Sequence, residues 1–139
     1  MGFHGFLIKL GGEHGDVLPL RFMRYESYQI SPNQRMDFNS TRDSNGRLHR
    51  TVVSHTATKI EFNIPRMDSD DIERFMLLVK KHWINVKERN IVLYYYDMET
   101  NSYKSGTFYM PDINFTISNV DPRKGKVYYA ETRVAFIEY

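Results

Sequence analysis

The hydrophobic pattern of this chain changes its period at Pro65, and that change constrains the fold more than any other feature. Up to the proline, in "TATKIEFNIP", apolar and polar residues alternate, as expected of an antiparallel strand with one buried face. Shortly after it, in "DSDDIERFMLLVKKHW", apolar residues recur at helical spacing. We therefore expect one α-helix over about residues 68–84, directly after a half-buried strand.

The charges of this segment support the helix. Carboxylates stand at its start (Asp68, Asp70 and Asp71), and basic groups stand at its end (Lys80, Lys81 and His82). Each set complements the helix dipole at its own terminus. The aspartates also lack the spacing and the glycine of a calcium loop, so we interpret them as helix-capping residues rather than as a cation site.

Further strands follow from apolar and aromatic runs between turn residues. We expect a strand in "LRFMRYESYQI" that is broken at Ser31-Pro32-Asn33, a hairpin in "NIVLYYYDMETNSYKSGTFYM", and strands in "INFTISNV" and "VYYAETRVAFIEY". No repeat or linker divides the sequence, so we expect a single domain over residues 1–139. The prediction is a β-rich α+β domain: an antiparallel β-sandwich or a part-closed barrel with the helix against one side.

Composition narrows the classes of function. The chain contains no cysteine, which excludes disulfides, thiolate metal ligands and cysteine nucleophiles. Its five histidines include no helical metal-binding pair, and its glycines match no phosphate-binding motif. We therefore expect no enzymatic activity, no metal and no cofactor.

Membranes and nucleic acids are disfavoured as partners. No apolar run reaches the length of about 18 residues that a membrane helix needs, and the mean hydropathy of -0.54 is typical of a soluble protein. The net charge of +2 is low for a nucleic-acid-binding protein. Neighbouring tyrosines of "LYYYD" should face opposite sides of a strand, so we interpret part of that run as core rather than as a platform for stacked bases.

A basic stretch, "DFNSTRDSNGRLHR" at residues 37–50, separates two predicted strands and is called the arm below. We interpret it as an extended loop or hairpin, because a connection of this length is generally functional or disordered. Its candidate contact residues are Arg42, Asp43, Asn45, Gly46, Arg47, His49 and Arg50. Both signs of charge are present, which suits a complementary protein surface better than a polyanion. We expect the arm to contact another subunit, with Asn45-Gly46 shaping its tip.

Three stretches of the sequence resemble one known family. They are "SPNQRMDFNSTRDSNGRLHRTVVSHTATKIEF", "YYYDMETNSYKSGTFYMPDINFTI" and the C-terminal "TRVAFIEY". In this order, with the helix between the first two, they resemble small tail-module proteins of long-tailed phages and prophages of gut Firmicutes. The resemblance runs from about Tyr25 to Tyr139, and no catalytic residues come with it.

The resemblance implies a virion structural protein that forms, caps or completes the tail tube or distal tail. Tail proteins of this kind share a β-sandwich flanked by one helix, with an extension that packs on a neighbouring subunit. The implied partners are further copies in a ring, hexameric in the tube or trimeric near the tail tip, and other tail proteins. The implied location is the virion tail, after assembly in the host bacterial cytoplasm. A tail-assembly chaperone or tape-measure adaptor, absent from the finished virion, and a nucleic-acid-binding module in the tube lumen remain alternatives.

Overall fold

The computed structural model describes residues 2–34, 37–52 and 57–139, and the side chains of residues 2–32, 41–48 and 57–139. Within these ranges the chain forms twelve strands, one α-helix and two short 3₁₀ turns. In chain order the elements are β1 (Ile8–Leu10), β2 (Asp16–Val17), 3₁₀ turns at Leu20–Phe22 and Tyr25–Ser27, β3 (Gln29–Gln34), β4 (Asp37–Arg42), β5 (Leu48–Val52), β6 (Ala57–Ile64), β7 (Met67–Asp68), α1 (Ser69–Lys81), β8 (Asn90–Asp97), β9 (Ser102–Tyr109), β10 (Ile117–Asp121), β11 (Lys126–Tyr129) and β12 (Thr132–Glu138).

The described strands form one large and two small antiparallel sheets. The large sheet has seven strands in the order β2-β1-β8-β9-β12-β6-β3. A three-stranded sheet has the order β10-β11-β7 and contacts α1, while β4 and β5 pair with each other in a sheet of their own. Within the described ranges the edge strands β2 and β3 do not pair, so the large sheet does not close into a barrel. The predicted β-rich α+β architecture with one helix is confirmed.

The core lies between the inner face of the large sheet and α1. Every second residue of β6 and of β8 is buried, which confirms the alternation predicted for both strands. The helix contributes Ile72, Phe75 and Val79, at the spacing that the sequence predicted. Phe75 is fully buried and meets the ring of Phe22 edge-on, with 5.4 Å between the ring centroids. Each such side chain contributes about 1.5–3 kcal/mol on burial, so this face fixes the helix on the sheet.

The helix is shorter than predicted, since it runs over Ser69–Lys81 rather than to residue 84. The N–H of Trp83 bonds to the carbonyl of Lys80, so the last turn has the tighter spacing of a 3₁₀ turn. The ring of His82 lies beside Asp16, with 2.7 Å between its Nε2 and the carboxylate. The apolar pattern continues past the end of the helix because Trp83, which follows the helix, still packs against the core.

Three strand predictions were wrong in part. Most of "LRFMRYESYQI" forms the two 3₁₀ turns, and β3 begins only at Gln29 and continues through Pro32. Proline is tolerated there because β3 is an edge strand, where a missing N–H need not break the ladder. In "INFTISNV" the strand begins at Ile117 rather than at Ile113. The C-terminal run is divided into β11 and β12, which belong to different sheets.

The carboxylate of Asp68 caps α1, as interpreted from the sequence. One of its oxygens accepts the N–H of Asp71 at 3.0 Å, and the other lies 3.2 Å from the Nζ of Lys126 in β11. The Asp71 N–H and the ammonium of Lys126 hold the pKa of Asp68 below its usual value. The cap thus joins the helix start to the three-stranded sheet.

We expect the Asp68→Asn variant to lose stability less steeply in acid than the parent chain. A depressed folded-state pKa means that the stabilisation is complete above the unfolded-state pKa, near 3.8, and is lost as the pH falls through the folded-state value. Asparagine keeps an accepting oxygen at the cap but does not titrate. Urea unfolding at a series of pH values from neutral to acid measures the difference. Glu73→Gln, an exposed change on the same helix, is the control; equal slopes for Asp68→Asn and the parent would contradict the prediction.

Candidate assembly interface

The arm is the outer part of one long β-hairpin. In the large sheet, β3 pairs with β6 so that Ser31 lies opposite Lys59. In the arm, β4 pairs with β5 so that Ser40 lies opposite Arg50. The two pairings have the same register at these positions, and each contains a shift, between Ser31 and Gln34 in the first and between Asp37 and Asn39 in the second. The predicted arm at residues 37–50 is thus a hairpin, β4–β5, that lies between β3 and β6 in the chain.

The tip of the arm is organised by Asp43 and Gly46. The backbone N–H of Asp43 bonds to the carbonyl of Arg47, and the N–H of Gly46 bonds to the carbonyl of Asp43. The Asp43 carboxylate accepts the N–H groups of Asn45 and Arg47 at 2.9 and 3.0 Å. Gly46 has a φ of +78°, a conformation that disfavours other residues. This is the pattern of a three-residue hairpin loop with glycine in the left-handed position.

The role of Asp43 was missed by sequence reasoning, which treated it only as one of the charges of the arm. The signal was present, because aspartate is favoured at the first position of a tight turn that ends in glycine. Asn45 and Gly46 do lie at the tip, as expected. The turn is therefore formed by Asp43 and Gly46 together, and Asn45 contributes its backbone N–H.

The arm exposes cationic and apolar groups at its end. Arg42, Arg47 and Leu48 are exposed, and one guanidinium nitrogen of Arg42 donates to the carbonyl of Gly46 at 2.9 Å. For Arg47, the described contacts are made by its backbone. His49 and Arg50 belong to β5 by their backbone, and their side chains lie outside the described residues. The tip therefore presents a guanidinium and a half-exposed leucine to whatever meets it.

Within the described residues, neither strand of the arm has a second sheet partner. β4 pairs with β5 and both outer edges carry no further strand. An isolated two-stranded hairpin is marginally stable in water, and it becomes stable when a third strand or a packed surface covers it. Within the described residues, the outer edges of the arm are therefore open to a further strand or a packed surface.

A polar recess of about 220 Å³ lies at the end of β3 and β6 that is remote from the arm. It is lined by Ser27, Gln29, Glu61, Phe62, Asn63 and Arg133. The guanidinium of Arg133 pairs with Glu61, and that of nearby Arg24 pairs with Glu131. The charges at the recess are thus already paired within the chain, which leaves hydrogen-bonding groups rather than a charge imbalance for a ligand.

The tyrosine run divides between two faces, as predicted. Tyr95 points into the core, while Tyr94 and Tyr96 lie on the outer face of the sheet. On that face the N-terminal segment covers Tyr103, whose hydroxyl donates to the carbonyl of Phe6 at 2.7 Å. The rings of Phe6 and Tyr103 are 4.6 Å apart. These outer tyrosines therefore pack against their own chain.

The fold and its surface define a β-rich α+β protein with a β4–β5 hairpin that pairs with no third strand among the described residues. The chain belongs to the family described as "Family of unknown function (DUF6711)", whose model matches residues 1–139. Neither a curated protein nor a solved structure matches it. Among the described residues, no helix is long and apolar enough to cross a membrane.

Proposed function

We propose that this chain is a structural subunit of a phage or prophage tail that assembles by docking its arm on neighbouring subunits, without catalysis. The observation that carries the proposal is the arm itself: a hairpin that, within the described residues, has no third strand. Such a hairpin gains stability when a partner covers it. The resemblance to tail-module proteins supports the tail as the assembly concerned.

Assembly into a ring fits the shape of the arm. A ring needs a heterologous interface, in which one patch of each subunit meets a different patch of the next. The recess lies at the end of the β3–β6 pair that contains Gln29 and Glu61, whereas the arm follows the opposite end, at Gln34 and Ala57. Its exposed Arg47 has the chemistry that interface hot spots favour, because arginine anchors fill desolvated pockets at interface centres. Further copies and other tail proteins are the proposed partners, and the virion tail is the proposed location.

Replacing residues 40–50 with Asn-Gly tests the proposal. Asn39 and Thr51 are cross-strand partners, so a two-residue turn between them shortens the arm without changing the register at its base. We expect a folded chain, with the far-ultraviolet circular dichroism of the parent, that no longer assembles. Light scattering gives the mass of both proteins, and negative-stain imaging shows whether the parent forms rings.

A milder variant keeps the arm and changes only its charge. We expect Arg47→Glu to weaken self-association by at least about tenfold if Arg47 is an anchor. Lys87→Glu makes the same charge change on an exposed loop and should leave association unchanged. A shortened arm that still supports assembly would overturn the proposed role of the arm. A parent chain that stays monomeric would overturn self-association.

The assembly factor is the second candidate, because an arm could equally bind a tape-measure or tube protein transiently. Mass spectrometry of purified virions separates the two: a structural subunit is present in multiple copies, and a chaperone is absent. Binding of DNA that weakens steeply with added salt would instead indicate the nucleic-acid-binding alternative.

A further inference from the structure

The β10–β11 hairpin carries a second exposed edge, independent of the arm. Residues 117–120 of β10 are all exposed, and within the described residues its outer edge pairs with no strand. Ile117 is 58% exposed and Val120 is 53% exposed, so two apolar side chains lie on an open strand. Such an edge is a template for pairing with another chain.

The other edges of the two larger sheets are protected. β2 and β7 each have two residues, which is too short to template a partner strand. β3 is longer, but it contains Pro32 and a shift of register. β10 has five residues and contains neither proline nor lysine. Of these four edges, β10 is therefore the one with more than two residues and no proline, although it too contains a shift of register and its Val120 N–H already bonds to the side-chain oxygen of Asn119 at 2.9 Å.

A bulge in β10 places its two apolar residues on one face. Ile117 lies opposite Tyr129, Asn119 opposite Tyr128 and Val120 opposite Val127, so Ser118 is the extra residue. Because the bulge shifts the alternation by one, Ile117 and Val120 share the face of Tyr129 and Val127. The hydroxyl of Ser118 donates to the carbonyl of Tyr128 at 3.1 Å and accepts from Arg66 at 3.2 Å. The bulge is thus held in place before any partner binds.

Charged residues flank β10 on both sides. Arg123 and Lys124 are exposed in the turn after the strand, and among the described residues neither has an ion-pair partner. Before the strand stands Asp112, whose side chain is 97% exposed and lies 3.4 Å from Arg89. The same turn contains Asp121, whose carboxylate accepts the backbone N–H groups of Arg123 and Lys124, so two cations stand beside one carboxylate at this end. When two copies run antiparallel, these cations approach the segment that bears the exposed carboxylate of Asp112 in the other copy.

We propose that β10 pairs antiparallel with β10 of a second copy of this chain, about a twofold axis. In the register that brings the apolar faces of the two strands to the same side of the sheet, Ile117 of each copy lies opposite Val120 of the other. The same register carries Arg123 and Lys124 of each copy to the segment that bears Asp112 in the other. Two three-stranded sheets then join into one continuous sheet across the axis, with both apolar residues of each copy covered.

This contact differs in kind from the one proposed for the arm. It is isologous, since the same patch is used on both copies, whereas a ring requires two different patches. It would join two subunits, or two rings, face to face. The proposed contact rests on the properties of β10 alone and does not depend on whether the chain belongs to a phage tail.

Cysteine pairing tests the register directly, because the chain contains no cysteine of its own. We expect a mixture of the Ile117→Cys and Val120→Cys full-length variants to form a disulfide-linked dimer under mild oxidation. Each variant alone should not, because its two cysteines would be offset along the strands beyond the roughly 7 Å between Cα atoms that a disulfide spans. Equal cross-linking in the mixture and in the single variants would overturn the register. Cross-linking of Val120→Cys with Leu48→Cys instead would assign the edge to the arm and overturn the proposal.

A charge placed on the edge gives an independent readout. The double variant Ile117→Cys/Val120→Lys should form no disulfide-linked dimer when it is mixed with Val120→Cys, because lysine on an edge strand blocks pairing. Leu77→Lys, on an exposed position of α1 that is 59% accessible, is the matched control and should leave cross-linking unchanged. If cross-linking fails in the mixture while the shortened arm still abolishes assembly, the β10 contact is wrong and the function of the arm stands. The reverse result would retain β10 and reject the arm.

Discussion

Replacing Phe75 with alanine should lower the free energy of unfolding by about 3–5 kcal/mol, the range for a fully buried phenylalanine. The ring is inaccessible to solvent and packs edge-on against Phe22, between the helix and the first 3₁₀ turn. Its removal deletes the apolar contact and leaves a cavity that the surrounding strands can fill only in part. The loss is a large share of the stability of a domain of this size, which is generally about 5–15 kcal/mol.

Urea unfolding followed by circular dichroism measures this change. Leu77→Ala is the matched control, because Leu77 lies on the same helix with 59% of its surface exposed. We expect the control to change the free energy of unfolding by less than about 0.5 kcal/mol. Similar losses for the two variants would mean that α1 does not pack on the sheet through Phe75.

The second large effect is expected at Gly15. A Cβ atom on this residue would lie 1.9 Å from the carbonyl oxygen of Leu10 and 2.8 Å from its carbonyl carbon. Both atoms belong to the backbone at the end of β1, so no side-chain rotation can relieve the overlap. The Gly15→Ala variant must open the turn in which the N–H of Gly15 bonds to the carbonyl of Gly12. We expect a loss of about 2–4 kcal/mol in the free energy of unfolding.

Gly2→Ala is the control for this change, because a Cβ there would meet no atom within 4 Å. Thermal unfolding of both variants, beside the parent chain, separates a steric effect from the general effect of adding a methyl group. A Gly15→Ala variant as stable as Gly2→Ala would show that the turn between β1 and β2 relaxes without cost.

Local sequence patterns predicted the elements whose burial follows a simple period. In β6 and β8 every second residue is buried, and in α1 the buried residues follow the helical spacing. The hairpin of β8 and β9 was predicted with its turn, because polar residues separate two aromatic-rich strands. In these elements each residue's environment follows from its own position in the strand or helix.

Patterns failed where an element's conformation depends on distant neighbours. The segment before β3 has a strand-like composition, yet Phe22 turns into the core against Phe75 and the backbone forms 3₁₀ turns. Pro32 was interpreted as the end of a strand, but β3 lies at the edge of its sheet, and no local signal states which strands are edges. Assignment of the C-terminal run to two sheets is likewise a matter of pairing over long range.

The candidate site divides in the same way. The sequence by itself determined that residues 37–50 form an arm of mixed charge with a glycine turn, because turn chemistry and charge are properties of neighbouring residues. Only the tertiary structure decided that, in the part of the chain it describes, the arm has no third strand and the outer edge of β10 pairs with no strand. Sheet order is set by which strands are brought together across the whole chain, and a strand's own sequence does not specify its neighbours.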